Sequence, residues 1–382
     1  MQPPAKSRKL SLSSRANLLG YRWIFGLLEM MGPPTPRPIL LTRSSRVLVF
    51  SSAGLGDSLL DSVAVRALAE TFHGIHIEAV VHHRRPDMSR HNPFLRRLHH
   101  LRKGPIGFLK LWRDLRAGKP WDAILYLSCH DPEARCLGFL LNKDATVSLS
   151  WRTTLSSLCA WNLDEPGLRR EHLARQALRV AEQAGATTAY PRMVYMVDEG
   201  DRKALDARLA ELGFPSNPGV VFQLGGGGAA YRDWPVEHFL QLARMLNASG
   251  EGPLFLLGGP DHRAKADRFA EVAAAEGLAF HDAVGKLTLP LSAALIERCR
   301  CLVSTDTGIM HLGFALGTPT VALLHCSPGR ARVGPLADER KHAIIELPRP
   351  EGYRSPSDAL MSNILPEAVF PLVVELLQRS SA

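Results

Sequence analysis

No C-x-x-C pair occurs in this sequence. Its six cysteines, Cys129, Cys136, Cys159, Cys299, Cys301 and Cys326, are scattered, most of them within apolar runs. That pattern argues against a disulfide framework or a cysteine-ligated zinc centre and for reduced core thiols in a cytoplasmic protein. The uninterrupted apolar core of a signal peptide is also missing, because Lys6 to Lys9 run into polar Ser11, Ser13 and Ser14. The apolar stretch from Arg15 to Met31 is interrupted by Arg22 and is too short to span a bilayer comfortably. The pairs His82-His83 and His99-His100 lack a carboxylate or cysteine at ligand spacing, so they read as solvated loop residues and not as metal ligands.

What is present suits a two-domain globular protein. The chain has 382 residues, 46% hydrophobic and 22% charged, too long for one ordinary core. Its formal charge of +9 is unevenly placed. Residues 1–46 hold eight Lys and Arg against Glu29, and residues 82–103 hold seven against Asp87, which leaves the rest mildly acidic. Two basic patches on an acidic body point to local contact with anionic partners and away from nucleic acid.

The segment 1–45 reads as a basic extension. From Arg15 to Met31 the spacing predicts a helix with Arg15, Arg22, Gly26 and Glu29 on one face and Trp23, Phe25, Leu27 and Leu28 among its apolar residues. Two readings stand: a helix lying in a membrane interface, or one docked on the protein's own surface. Pro33, Pro34, Pro36 and Pro38 then predict a stiff, extended connector.

Residues 46–190 form the first expected domain. A strand at Arg46–Ser51, a loop containing Gly54 and Gly56, a helix with Leu59, Val63, Ala64, Ala67 and Leu68 inward, and a strand at Ile75–Val81 make a βαβ unit. Glu78 gives this unit a superficial likeness to a dinucleotide fingerprint. Leu59 fills the third glycine position, however, and Asp57 stands where a pyrophosphate would lie. A carboxylate there repels phosphate but is well placed to take a proton from a hydroxyl. Further on come a strand at Trp121–Leu127 and a helical run from Arg169 to Ala184. A charged helix, Asp201–Leu212, looks like the crossing into the second unit, 191–365.

There the alternation restarts: a strand at Gly219–Leu224, a glycine loop at Gly225–Gly228, a helix at Pro235–Leu246, and a strand at Pro253–Leu257 before Gly258-Gly259-Pro260. The most informative stretch follows the apolar run Cys301–Val303. Asp306, Thr307 and Gly308 mark the start of a helix that ends at Gly317 and Pro319, before the strand Thr320–Leu324. Unpaired N–H groups and the helix dipole favour an anion at such a start, most often a phosphate, and His311 faces the same mouth. Two parallel-sheet units with glycine loops place a ligand in the cleft between their strand C-termini.

An ordered set of motifs resembles glycosyltransferase family 9, the bacterial lipopolysaccharide heptosyltransferases, over about residues 46–335. They are Gly54-Leu55-Gly56-Asp57, Asn92-Pro93-Phe94, Arg232-Asp233-Trp234-Pro235, Gly258-Gly259-Pro260, Val284-Gly285-Lys286-Leu287, and Asp306-Thr307-Gly308 with His311. The resemblance implies an α/β protein of GT-B architecture, two Rossmann-like domains with parallel sheets facing across a cleft. Its C-terminal helix, within 366–382, would pack back toward the first domain.

The Arg cluster with Arg84 and Arg85 follows directly on a strand end and reads as either an ordinary solvated face or, with Gly56, a contact for a phosphorylated acceptor. The resemblance also implies roles. Asp57 would be the general base of an inverting transfer. Arg232, Asp306, Thr307, Gly308 and His311 would hold the donor's sugar and diphosphate, and Gly258, Gly259, Asp261 and His262 its nucleoside. The implied donor is ADP-heptose and the implied acceptor a lipid-linked anionic oligosaccharide, at the inner face of the cytoplasmic membrane. No cofactor or metal is implied, because positive charge and a helix N-terminus can do what a divalent ion does elsewhere. Two positions depart from the family. Arg232 stands where Lys is usual, offering a fork in place of a point charge. His262, preceded by Asp261, stands where Glu is common, so either Asp261 substitutes or the nucleoside preference differs. A sugar-nucleotide epimerase of the same fold and an inactive nucleotide-binding scaffold are the alternatives; the joint presence of Asp57 and the Asp306-Thr307-Gly308 set speaks against the scaffold.

Overall fold

The computed structural model describes residues 26, 28, 30–83, 89, 91–152, 155–226 and 228–379. The first half carries β1 (Arg46–Ser51), α1 (Leu55–Thr71), β2 (His76–His82), β3 (Arg97–Leu101), α2 (Pro105–Arg116), β4 (Ala123–Tyr126), α3 (Pro132–Asn142), β5 (Thr146–Leu149), β6 (Trp161–Leu163) and α4 (Leu173–Glu182). The second half begins with α5 (Glu199–Glu211), β7 (Val220–Gln223), α6 (Val236–Ala248), β8 (Leu254–Leu257) and α7 (Arg263–Glu276). It continues with β9 (His281–Asp282), α8 (Leu289–Arg298), β10 (Cys301–Thr305), α9 (Gly308–Leu316), β11 (Thr320–Leu324), β12 (His342–Glu346) and α10 (Pro366–Arg379).

Each half is built on a six-stranded sheet, ordered β3-β2-β1-β4-β5-β6 in the first and β12-β11-β10-β7-β8-β9 in the second. The ladders are parallel throughout. Both are the doubly wound order, with a switch point between β1 and β4 in one sheet and between β7 and β10 in the other. Central strands are apolar on both faces because helices cover both. In β1, Val47 and Val49 join one layer with Ile77 and Leu125, while Leu48 and Phe50 join the other with Val80 and Ile124.

The two halves share a core. Leu59, Leu60 and Val63 of α1 pack into one buried cluster with Val221, Phe255, Leu302, Met310 and Leu312 of the second half. Burying such side chains fully is worth roughly 1.5–3 kcal/mol each. The α1–α9 contact is therefore a packed interface. A second bond crosses between the halves at His172, before α4, whose Nε2 donates to the Gly334 carbonyl at 2.9 Å.

Two expectations need correction. The last helix does not pack toward the first half: Val369, Val373, Leu376 and Leu377 of α10 are buried with Trp234, Phe239 and Leu240 on the second sheet. The i, i+4, i+7, i+8 spacing of those four residues gives one apolar stripe, and this layer of the second sheet receives it. The pair His99-His100, read as solvated loop, lies in β3, an edge strand of the first sheet. His99 is accordingly buried and its Nε2 lies 2.5 Å from Glu78 Oε2. Arg46 and His76 also bind the Glu78 carboxylate. Burial would raise the Glu78 pKa, but hydrogen bonds from His99, His76 and Arg46 overcome it and hold the carboxyl at about 2. The side chain that gave the dinucleotide likeness is thus fully engaged within the sheet.

Most of the amphipathic stretch 15–31 lies outside the described residues. Leu28, at its end, is buried against Cys136, Phe139 and Leu158. The proline connector is held beside α3, where Lys143 Nζ donates to the carbonyls of Met31 (2.7 Å) and Gly32 (3.0 Å) and Thr35 N–H to Asp144 (2.8 Å). Among the described residues no single helix is long and apolar enough to cross a membrane.

Candidate active site

The two switch points face each other. At the first, the chain leaves β1 and turns into α1 at Gly54, whose N–H donates to Asp57 Oδ2 at 2.7 Å. Ser52 and Ala53 N–H donate to the Ser128 carbonyl beyond β4, and Ser52 Oγ donates to Asp131 at 2.5 Å. These bonds fix the loop that carries Asp57 in the first turn of its helix.

At the second, β10 turns into α9. Thr307 is the N-cap, its Oγ1 accepting from Met310 N–H at 3.4 Å, and Thr305 Oγ1 donates to the Gly225 carbonyl at 2.7 Å. The helix ends at Gly317, in the left-handed conformation at φ 71° that glycine adopts without strain.

The two helix starts touch. A Cβ on Gly56 would lie 2.8 Å from His311 Cδ2 and 3.5 Å from Gly308 Cα, and one on Gly308 would lie 3.0 Å from Leu55 Cβ. Glycine at both positions is what permits this approach. The helix dipole of α9, the Asp57 carboxylate and the His311 ring therefore meet at one place between the halves. His311 is buried, and burial lowers its pKa; the charge of Arg232 lowers it further, while Asp306 and Asp57 pull the other way. Its Nδ1 has no hydrogen-bond partner among the described residues.

Arg232 lies against Asp306, beside the start of α9. Nη1 lies 3.1 Å from Asp306 Oδ2, an ion pair by distance, yet Oδ2 receives no hydrogen bond because the N–H is not directed at it. The better aligned contact is Arg232 Nη1 to the Asp306 carbonyl at 3.4 Å, and Nε donates to Tyr231 Oη at 3.2 Å. A cation resting loosely on its partner is free to turn to an incoming phosphate.

The loop after β8 adds the remaining predicted residues. His262 Nδ1 accepts from Gly259 N–H at 3.2 Å, which assigns the proton to Nε2. That Nε2 lies only 1.8 Å from where a Cβ on Gly225 would be, so the ring covers the glycine loop after β7. Asp261 projects outward beside it, Oδ1 lying 3.4 Å from His262 Nδ1. Contacts run unbroken from His262 through Gly225 and Thr305 to Asp306. The structure thus gathers Gly56, Asp57, Arg232, Asp306, Thr307, Gly308 and His311 at one crevice, with Gly258, Gly259, Asp261 and His262 along it. Arg84 and Arg85 lie outside the described residues. Motif reading missed His172, whose bond to Gly334 joins residues remote in sequence, with no local signal for either.

Two Rossmann-like halves whose switch points meet across a crevice, one bearing a carboxylate and the other a helix N-terminus, define a GT-B protein. The profile of glycosyltransferase family 9 (heptosyltransferase) matches residues 108–353. The chain belongs to that family. It is 28% identical over 152 residues to lipopolysaccharide heptosyltransferase 2 of Escherichia coli K12, which is 38% of this chain, and it spans 41% of the length of that curated relative. Among solved structures, the glycosyl transferase family 9 protein from Veillonella parvula DSM 2008 superposes with a TM-score of 0.73 at 20% identity, over 89% of this chain and 99% of the other. The ADP-heptose LPS heptosyltransferase II of E. coli gives 0.73 at 19%, over 88% and 100%. The profile match begins after Gly54–Asp57; the Gly54 bond to Asp57 and the Gly56–His311 approach are what put Asp57 at this meeting of the halves.

Proposed function

We propose that the chain is an inverting glycosyltransferase that moves heptose from ADP-heptose to a lipid-linked, anionic oligosaccharide of the lipopolysaccharide core type. The observation that carries this reading is the meeting of Asp57 with the α9 N-terminus and His311 across the two halves. Asp57 takes the proton of an acceptor hydroxyl. The resulting oxygen attacks the anomeric carbon from the face opposite the diphosphate, the bond to the diphosphate breaks, and ADP leaves with that electron pair. Backbone N–H groups at the start of α9 stabilise the charge that grows on the leaving group. Arg232 adds a positive fork, and the fixed Nε2–H of His262 offers a donor beside the nucleoside. Cation and helix tip together supply the charge a divalent ion supplies elsewhere, so the proposed transfer runs without one. The acceptor's lipid and the basic stretch around β3 support action at the inner membrane face, where anionic groups gather.

The test is incubation with ADP-heptose and a truncated lipopolysaccharide acceptor, following ADP and product by mass. A heptosylated acceptor with one ADP per transfer is expected. Conversion of ADP-heptose without acceptor would show an epimerase, and binding without any conversion a scaffold; either result overturns the proposal.

A further inference from the structure

A second polar cluster, sharing no residue with the crevice, lies where the chain crosses between the halves. His91 belongs to the loop between β2 and β3, and Asp198 and Asp201 belong to the start of α5. Met196 N–H donates to the His91 carbonyl at 3.1 Å, which fixes the crossing against this loop. Asp198 is the N-cap of α5, its Oδ1 accepting from Asp201 N–H at 2.7 Å. Capping explains that one oxygen. It leaves the others unexplained.

Asp198 Oδ2 lies 3.8 Å from His91 Nδ1, and Asp201 Oδ2 lies 3.5 Å from His91 Nε2. The His91 side chain is 8% exposed, and both its Nε2 and Asp201 Oδ2 are buried with no hydrogen-bond partner among the described residues. Two buried, unsatisfied polar atoms facing each other are costly unless something joins them. At 3.5 Å they are too far apart for a charge-assisted hydrogen bond, which closes to about 2.7–2.9 Å. The spacing does fit two ligands of one tetrahedral ion: bonds of about 2.0–2.1 Å put neighbouring ligand atoms roughly 3.4 Å apart. One ligand atom from each of the three residues lies within 4.8 Å of the others. Asp198, mostly exposed, is free to swing its second oxygen inward without giving up the cap.

We propose that His91, Asp198 and Asp201 form a transition-metal site of the zinc class that joins the two halves at their crossing. One imidazole and two carboxylates balance a dication, and the nitrogen ligand favours zinc over magnesium or calcium. Water completes the fourth position. The site is separate from the crevice, and its metal takes no part in the proposed sugar transfer; it ties the first-half loop to the first helix of the second half.

The experiment treats the full chain with a chelator, removes the chelator, and titrates zinc chloride, reading bound zinc by elemental analysis after gel filtration and Tm by calorimetry. Cobalt chloride serves as a visible-absorption probe of the same site. One zinc per chain and a higher Tm are expected in the wild type. Asp201→Asn leaves the Asp198 cap intact and should weaken zinc binding at least tenfold, with unchanged far-UV circular dichroism and ADP affinity. His91→Gln should do the same; should it fail to fold, Asp201→Asn decides alone. Equal zinc retention by wild type and Asp201→Asn, or none by the wild type, overturns the site.

Discussion

Gly56 and His311 stand in contact across the two halves: a methyl group on the glycine would come within 2.8 Å of the imidazole Cδ2. The carboxylate of Asp57 and the α9 helix tip are thereby held at one place by an absence of side chain.

Gly56→Ala should therefore prop the halves apart at the crevice. Overpacking of this kind costs about 1–3 kcal/mol, partly offset by alanine's better helix propensity. We expect kcat/KM to fall at least tenfold, with a modest loss of Tm and a larger radius of gyration by solution scattering. An unchanged kcat/KM would show that the contact is not needed for turnover.

Asp57→Asn separates the charge of this residue from its structural bond. The amide oxygen can still accept from Gly54 N–H, so α1 should start where it does now. General-base catalysis contributes about 10²–10⁴ in rate, and kcat is expected to drop by that order while ADP affinity by calorimetry stays within twofold.

His172 should make stability depend on mild acid. Burial pushes its pKa down to about 4, while its bond to Gly334 pulls upward less strongly. The unfolded chain binds that proton near pH 6.5, so between about 6.5 and 4 the unfolded state holds more protons than the folded one. Stability from this residue is complete above that window and falls with decreasing pH, by up to about 3 kcal/mol. Denaturant midpoints measured from pH 7.5 to 4 should fall less steeply in His172→Gln.

Glu78 acts in a lower window. Its carboxyl is held at about 2, so its contribution is full above the ordinary carboxylate range and is lost as pH falls toward 2. Glu78→Gln should cost on the order of 3 kcal/mol at pH 7, and the gap between wild type and variant should shrink below pH ~4. A gap independent of pH would assign the loss to packing.

Local pattern revealed the centre of each sheet and much less of its edges. β1, β2, β7, β10 and β11 are apolar runs buried on both faces, which periodicity detects. β3 reads Arg-Leu-His-His-Leu and β9 is only His281-Asp282; their pairing is decided by neighbours they meet in space. The same divide holds for the site. Asp57 and Thr307-Gly308 each sit in a strand–turn–helix signature, so both were visible. His172 to Gly334, and His91 to Asp201, join segments from different halves, and no spacing along the chain encodes those meetings. The resemblance put α10 against the first half; its apolar stripe specifies that it docks but not where, and it docks on the second sheet.

Leu59, Leu60 and Val63 belong by sequence to one half and by burial to the core of the other. Cutting the chain at the crossing would strip that shared layer from both pieces, so neither fragment is expected to fold by itself. Calorimetry should accordingly show one cooperative endotherm, and any loosening deep in the second half will be felt by α1, the helix that carries Asp57.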